Sequence, residues 1–237
     1  MRQSGKGNIM EEHGLKVYTL HTDEFSKEAY FKECYSSLSA YRREKTDSYR
    51  FLADKKLSVG AGILLDKGLQ EYGLREANVR IAYGENGKPY LPDYPQIHYN
   101  LAHSGKMALA AFAQTEVGCD IEEIKTASLK LARRFFCPKE YEYIAQFAGC
   151  KQDYAFYRIW TLKESFLKVT GMGMRLSLDA FEFTFSQEGK VSILQNHNQE
   201  QYEFTEYDFG VYHAAICVQK TRGSHSENFV QTNSLRE

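Results

Sequence analysis

The sequence lacks several features that would place a protein in a familiar class. Lysine and arginine are not in excess, and the formal net charge of −1 argues against a general nucleic-acid binder, which needs surplus positive charge to bind phosphates. No run of about 18 apolar residues is present, so no transmembrane helix is expected. The N-terminal residues have no apolar core and predict no secretion signal. We therefore expect a cytoplasmic protein that binds neither nucleic acid nor membranes.

Cysteine pairs with metal-binding or redox spacing are also absent. The five cysteines are odd in number, and the closest two, Cys137 and Cys150, are 13 positions apart. Without a CxxC pair the sequence contains neither a zinc ribbon nor a thioredoxin-type motif. The pattern favours free, reduced thiols in a cytoplasmic protein.

Periodicity and turn residues divide the 237 residues into short segments, and a hydrophobic content of 43% is sufficient for a large core. Strands are predicted at 15–20, 79–83, 97–101, 107–112, 117–124, 181–185, 191–194, 202–207 and 211–218. Helices are predicted at 25–35, 42–65, 129–136, 138–148 and 153–169. The Asn-Gly pair at 86–87 predicts a type I′ hairpin turn.

The order of these segments indicates an α+β fold in two similar halves. Strands follow strands without regular βαβ alternation, which argues against a doubly wound parallel sheet. We expect two similar lobes in a pseudo-twofold arrangement, each with a small antiparallel sheet packed by helices. The lobes are predicted at 15–115 and 116–219, with loose tails at 1–14 and 220–237.

The first segment with residues suited to binding or catalysis is GCDIE at 118–122, which lies in an apolar and β-prone stretch of the sequence. Because side chains alternate along a strand, Asp120 and Glu122 share one face and Glu123 occupies the other. Like charges on a mostly buried strand require something that neutralises them. Mg²⁺, bound to carboxylates and phosphate oxygens, would do so. The alternative is the solvated face of an edge strand.

The second block is WTLKESFLK at 160–168, a helical pattern with one apolar side. Glu164 and Lys168 are one turn apart, so their side chains are neighbours on the helix surface. Taken alone, the segment from Lys163 to Lys168 is equally well explained as an ordinary solvated face. Beside the first block, its carboxylate and two lysines would instead complete a site for a divalent cation and a phosphorylated ligand.

Other polar segments have simpler explanations. Gly84 to Pro89 contains Gly-Lys, but Pro89 stands where a Walker A loop needs serine or threonine. The segment at 171–173 (GMG) follows a helix and fits a C-cap. His103 ends a strand, and a structural role is the default. The basic residues at 42–45 indicate either a solvated helix start or a local anion site.

Together with YGENGKPYLP and IHYNLAHSGK upstream, in matching order, the two blocks resemble the 4′-phosphopantetheinyl transferase family. The likeness covers roughly residues 15–218, and the length resembles the monomeric, two-lobed surfactin-type branch. The resemblance implies transfer of 4′-phosphopantetheine from coenzyme A to a serine of an apo acyl or peptidyl carrier protein. It also implies release of adenosine 3′,5′-bisphosphate and dependence on Mg²⁺.

The same resemblance implies roles for individual residues. Mg²⁺ ligands are implied at Asp120, Glu122 and Glu164. Contacts with coenzyme A are implied at Arg42, Lys45, Ser58, Lys88, His103, Lys163 and Lys168, the first three at its 3′-phosphate and adenosine end. Catalytic roles are implied at Glu164, as base or metal ligand, and at Lys168. One departure is Ala102, where the family has serine or threonine.

Docking of an acidic carrier-protein helix is implied near Arg133, Phe135 and Phe136, although ordinary helix core explains the two phenylalanines equally well.

Two other functions are compatible with the same carboxylates and lysines. A Mg²⁺-dependent diphosphate hydrolase would act on coenzyme A or nucleotides without a carrier protein, and a non-catalytic protein would only bind coenzyme A. The intact set of carboxylates and lysines favours the transferase.

Overall fold

The computed structural model describes residues 8–12 and 14–221. Up to residue 114 the described chain forms one compact unit, except for Glu85–Lys88. That short turn belongs with the residues from Thr115 onward, which form a second unit. Both units contain small antiparallel sheets packed by helices, so the predicted α+β class is confirmed.

The strands are β1 (Asn8–Glu12), β2 (Leu15–His21), β3 (Ala82–Tyr83), β4 (Pro89–Tyr90), β5 (His98–Ser104), β6 (Met107–Ala113), β7 (Val117–Glu123), β8 (Phe181–Phe185), β9 (Val191–Gln195), β10 (Tyr202–Asp208) and β11 (Tyr212–Gln219). The α-helices are α1 (Glu28–Ser36), α2 (Ala40–Ser48), α3 (Leu52–Gln70), α4 (Leu129–Phe135), α5 (Pro138–Ala145) and α6 (Cys150–Thr170). Short 3₁₀ turns lie at Thr22–Ser26, Glu76–Asn78 and Gly173–Arg175.

The first unit is built on a four-stranded antiparallel sheet in the order β1-β2-β6-β5. The apolar side of α3 packs on this sheet, and its leucines share a core with Tyr18 of β2 and Phe112 of β6. The helix approaches closely at Gly68, where an added Cβ would lie 2.0 Å from the Phe112 ring. The small residues of α3 therefore let the helix lie directly on the aromatic core.

The second unit likewise contains a three-stranded antiparallel sheet, in the order β10-β11-β7. The β8-β9 hairpin forms a separate two-stranded sheet. Helix α6 packs on the sheet through Leu162, Phe166 and Leu167, which share a core with Ala215 and Cys217 of β11. Helices α4 and α5 pack against the first half of α6 in a separate aromatic cluster. The sheet thus presents strand β7, with its carboxylates, directly to α6.

Gly118 of β7 determines how closely α6 approaches the sheet. An added Cβ would lie 2.2 Å from the Ser165 carbonyl oxygen and 2.3 Å from the Val169 amide nitrogen. Both atoms belong to the helix backbone, so neither can rotate away. Only glycine allows this contact.

We expect Gly118→Ala to lower the free energy of unfolding by about 1–3 kcal/mol, since α6 must move outward to make room for the methyl group. Alanine is otherwise better than glycine inside a strand, so the direction of the change isolates the steric contact. Urea unfolding monitored by circular dichroism would measure it. An unchanged or higher stability would contradict the close approach of α6.

The structure corrects the predicted tails. The prediction of a loose segment over 1–14 is wrong for Asn8–Glu12, because β1 pairs antiparallel with β2 from Asn8 opposite Thr19 to Glu12 opposite Leu15. Backbone hydrogen bonds to a neighbouring strand order this segment without help from an apolar pattern. In the other predicted tail, the Lys220 amide donates to the Gln201 carbonyl at 2.8 Å. Residues 1–7 and 222–237 lie outside the described residues.

The predicted helix at 42–65 is in fact two helices, α2 and α3. Tyr49 and Phe51 between them have extended backbone angles, which end the first helix and begin the second. The predicted strand at 79–83 shortens to β3, which pairs with β4 across the turn that carries Gly87 at a φ of 83°. All five cysteines are free, as predicted. Within the described residues, no helix has both the length and the apolar composition needed to cross a bilayer.

Candidate active site

Asp120 and Lys168 form the best defined contact between the two sequence blocks. Asp120 lies on the face of β7 that Gly118 turns toward α6, and it is buried. Its Oδ1 accepts a hydrogen bond from Lys168 Nζ at 2.7 Å, and the same ammonium donates to the Cys119 carbonyl at 3.0 Å. Asp120 Oδ2 is buried and has no hydrogen-bond partner within the described residues. Burial raises the pKa of Asp120, while Lys168 opposes that rise.

Glu164 and Glu122 lie within electrostatic reach of this pair. Glu164 is half-buried on α6, one turn before Lys168, and Glu122 is half-buried two residues after Asp120. Burial raises the pKa of Glu164, the charges of Asp120 and Glu122 raise it further, and Lys168 lowers it. The charges of Asp120 and Glu164 raise the pKa of Lys168 against the opposing effect of burial. Three carboxylates and one lysine therefore share a single electrostatic environment.

The chemistry of this group fits Mg²⁺, although its carboxylates do not converge on one point. Within residues 8–12 and 14–221, no set of three or more histidine, cysteine, aspartate or glutamate side chains is close enough to hold a metal ion as it stands. All available donors are oxygens, which Mg²⁺ prefers. The unpartnered Oδ2 of Asp120 is a buried acceptor that a cation would satisfy. Mutual repulsion of the three carboxylates would fall when a cation binds.

Lys163, for which the resemblance implies a contact with coenzyme A, is not grouped with these carboxylates in the structure. Its ammonium is fully buried and donates to Glu140 Oε2 at 2.8 Å, the Leu178 carbonyl at 2.6 Å and the Phe181 carbonyl at 2.8 Å. The Phe181 ring centroid lies 4.4 Å away. A lysine has three donors, so none remains for a phosphate. Lys163 instead links α6 to α5 and to the start of β8.

Lys88 lies in the turn Glu85–Lys88, which belongs to the second unit. Its ammonium donates to the Glu116 carboxylate and to the Val169 carbonyl, the latter at 3.0 Å. Asn86 Nδ2 donates to the Gly171 carbonyl at 2.9 Å. Gly171 ends α6 with a φ of 67°, which confirms the predicted C-cap. The turn therefore satisfies carbonyl groups at the end of α6 and brings Lys88 beside them.

The implied coenzyme A residues of the first unit are partly buried. Arg42, on α2, is buried with its Nε 3.7 Å from Glu76 Oε1, and that nitrogen has no hydrogen-bond partner within the described residues. The hydroxyl of Ser58, another residue with an implied contact, is buried on α3 and forms a hydrogen bond with Thr46 Oγ1 at 2.8 Å. Lys45 is half-buried on α2, and His103 is exposed on β5 opposite Ala108.

Ala102, the departure from the family pattern, is buried on β5 opposite Leu109.

Sequence reasoning missed a buried polar group beside the carboxylates. Arg158 of α6 donates to Glu206 through Nε and Nη2, both at 2.7 Å. Burial alone would raise the pKa of Glu206, but this bidentate bond lowers it to about 2. Thr161 Oγ1 lies 2.7 Å from Nδ1 of the fully buried His213. The only sequence signal was a histidine inside the apolar strand β11, because no local spacing pairs residues about fifty positions apart.

Comparisons with known proteins agree on one family. A family model described as the 4′-phosphopantetheinyl transferase superfamily matches residues 116–217. The 4′-phosphopantetheinyl transferase ffp of Bacillus subtilis is 34% identical over 207 residues, covering 86% of this chain and 92% of the relative. The 4′-phosphopantetheinyl transferase Sfp of Bacillus subtilis strain 168 is 33% identical over 208 residues, with the same coverage.

More distant matches have related names. The mouse L-aminoadipate-semialdehyde dehydrogenase-phosphopantetheinyl transferase is 28% identical over 217 residues, covering 81% of this chain and 70% of the relative. Among solved structures, a holo-(acyl-carrier-protein) synthase from Bacillus anthracis is 18% identical, with a TM-score of 0.41, covering 44% of this chain and 95% of that one. A TM-score of that size supports no conclusion about this chain.

Proposed function

This chain belongs to the 4′-phosphopantetheinyl transferase family, and from that premise we propose its reaction. It transfers 4′-phosphopantetheine from coenzyme A to a serine of an apo acyl or peptidyl carrier protein, with release of adenosine 3′,5′-bisphosphate. The observation that carries the proposal is the contact between Asp120 and Lys168, with Glu164 and Glu122 beside it. All four residues lie in the segment that the family model matches. The enzyme is proposed to act as a monomer in the cytoplasm, where its free thiols stay reduced.

Asp120, Glu122 and Glu164 are the residues proposed to hold Mg²⁺. When bound, the ion would neutralise diphosphate oxygens and stabilise charge on the leaving group. The protein contributes the arrangement of the carboxylates. Gly118 keeps α6 close to β7, so that the carboxylate on the helix lies within electrostatic reach of those on the strand.

Lys168 is proposed to bind a phosphate oxygen of coenzyme A. Two of its three donors are used by Asp120 and by the Cys119 carbonyl, and its side chain is 29% exposed. Lys163, in contrast, is 0% exposed with all three donors used. We assign to Lys168 the stabilisation of negative charge that develops on the departing bisphosphate.

Glu164 is proposed to take the proton of the attacking serine, in addition to its role as metal ligand. A serine hydroxyl is a weak nucleophile at its ordinary pKa and needs a base within reach. Glu164 is half-buried at the edge of the carboxylate group, and none of its oxygens is hydrogen-bonded within the described residues.

The carrier protein is proposed to dock on α4. Leu131 is 41% exposed and Phe135 is 37% exposed, and Arg133 and Arg134 lie between them in the sequence. Exposed apolar side chains with flanking arginines suit an acidic, amphipathic helix. Phe136 does not take part, because it is buried and stacks on Phe156.

We expect coenzyme A and an apo carrier protein to yield the phosphopantetheinylated carrier only when Mg²⁺ is present. Without the ion, three carboxylates repel the diphosphate, so chelation with EDTA should abolish transfer and weaken coenzyme A binding. Mass spectrometry of the carrier and calorimetry of coenzyme A binding would measure both effects. Equal binding with and without EDTA would reject the metal role. Consumption of coenzyme A without a carrier would favour the hydrolase instead.

A further inference from the structure

A polar row runs beneath α6, from the proposed metal ligands to the opposite edge of the sheet. His213 of β11 lies opposite Glu122 of β7 and, on its other side, opposite Asp208 of β10. The next row along the strands pairs Asp120 with Ala215 and Ala215 with Glu206. Cross-strand partners share a face, so these side chains all point toward α6, as Asp120 does.

His213 is attached to α6 through a hydrogen bond with Thr161. The Thr161 hydroxyl lies 2.7 Å from His213 Nδ1 and 3.1 Å from the Arg158 carbonyl oxygen. The other ring nitrogen of His213, Nε2, lies 3.3 Å from Glu206 Oε1. Glu206 is in turn fixed by Arg158.

Two polar contacts between α6 and the sheet thus lie on either side of Glu164 along the helix. Thr161, three residues before it, bonds to His213, and Lys168, four residues after it, bonds to Asp120. The apolar contacts of α6 are less directional than these bonds. The 2.7 Å hydrogen bond between the buried Thr161 and His213 restricts how far this turn of α6 can rotate or move away from the sheet.

We propose that His213 is a positioning residue that holds the Thr161 turn of α6 and thereby sets the placement of Glu164 relative to Asp120 and Glu122. The inference rests on the proposed function, because it concerns the same carboxylates as Mg²⁺ ligands. Outer residues that orient metal ligands commonly change metal affinity without touching the ion.

The test compares three threonine variants of α6. Thr161→Val keeps the shape of the side chain and removes the oxygen that is hydrogen-bonded to His213, whereas Thr161→Ser keeps that oxygen. Thr170→Val is a matched control, since Thr170 Oγ1 makes the same type of bond, to the Leu167 carbonyl at 3.0 Å, without a histidine partner. Calorimetric titration of Mg²⁺ into each protein saturated with coenzyme A measures metal affinity, and urea unfolding measures stability.

We expect Thr161→Val to weaken Mg²⁺ binding by about tenfold, with both control variants close to the wild type. If His213 acts through Glu164, the loss caused by Thr161→Val should disappear in a Glu164→Gln background, because the residue being positioned is no longer a full ligand. Additive losses in that double variant, or lower stability with unchanged Mg²⁺ affinity, would overturn the inference. Absence of Mg²⁺ binding by the wild type would instead reject the proposed metal site itself.

Discussion

Glu164→Gln is expected to lower the rate of phosphopantetheine transfer at saturating Mg²⁺ by roughly 10²–10⁴-fold, the range typical for loss of a general base. The substitution keeps the shape of the side chain and one oxygen that can bind a metal, but it removes the negative charge and the basicity. In the structure Glu164 is half-buried beside Asp120 and Lys168, so the glutamine has room to occupy the same place.

The dependence of the rate on Mg²⁺ separates the two roles of Glu164. If the residue only holds the ion, raising the Mg²⁺ concentration should restore the rate, because the variant lacks metal occupancy alone. A rate that stays low at saturation identifies the base, whereas a wild-type rate at ordinary Mg²⁺ would remove Glu164 from the site. Glu123→Gln is the matched control, since Glu123 lies on β7, pairs with Lys125 at 3.0 Å and should leave the rate unchanged.

Lys163→Met is expected to lower the free energy of unfolding by about 3–5 kcal/mol, because it leaves Glu140 as an unpaired buried charge. Both side chains are fully buried. Burial lowers the pKa of Lys163 and raises that of Glu140, and each partner opposes the shift of the other. Urea unfolding of the variant would measure the loss.

A second substitution tests whether the unpaired charge is the cause. Glu140→Gln in the Lys163→Met background removes that charge and keeps an oxygen for one of two backbone amides, because the Cys137 amide donates to Glu140 Oε2 at 2.9 Å and the Phe183 amide donates to Oε1 at 2.7 Å. The double variant should regain part of the lost stability, since one amide then loses its acceptor. A Lys163→Met protein with wild-type stability but weak coenzyme A binding would instead support the contact with coenzyme A that the resemblance implies for Lys163.

Local periodicity was sufficient to group the candidate residues on their own elements. Alternation along β7 placed Asp120 and Glu122 on one face, and the helical repeat placed Glu164 one turn from Lys168. Both relations depend only on backbone geometry within a few residues. The same apolar patterns predicted that each unit contains sheets and helices. They did not predict β1, because that strand is ordered by pairing with β2.

Tertiary structure alone decided which lysine is available to a ligand. Lys163 and Lys168 are five positions apart, which at about 100° per residue puts them on different sides of α6. Nothing in the WTLKESFLK segment shows which side is covered, because the groups that bury Lys163 come from α5 and from the residues leading into β8.

The same limit applies to Gly118 and His213. A glycine in GCDIE is compatible with any strand, and only the backbone of α6 at 2.2 Å shows why a side chain cannot stand there. His213 lies beside Thr161 of α6, which is distant in sequence, and beside Glu206 of β10, which is the neighbouring strand of a hairpin. Sequence determined which residues share a face. Packing between elements decided which of those faces meet, since that contact depends on the shapes of residues far apart in the chain.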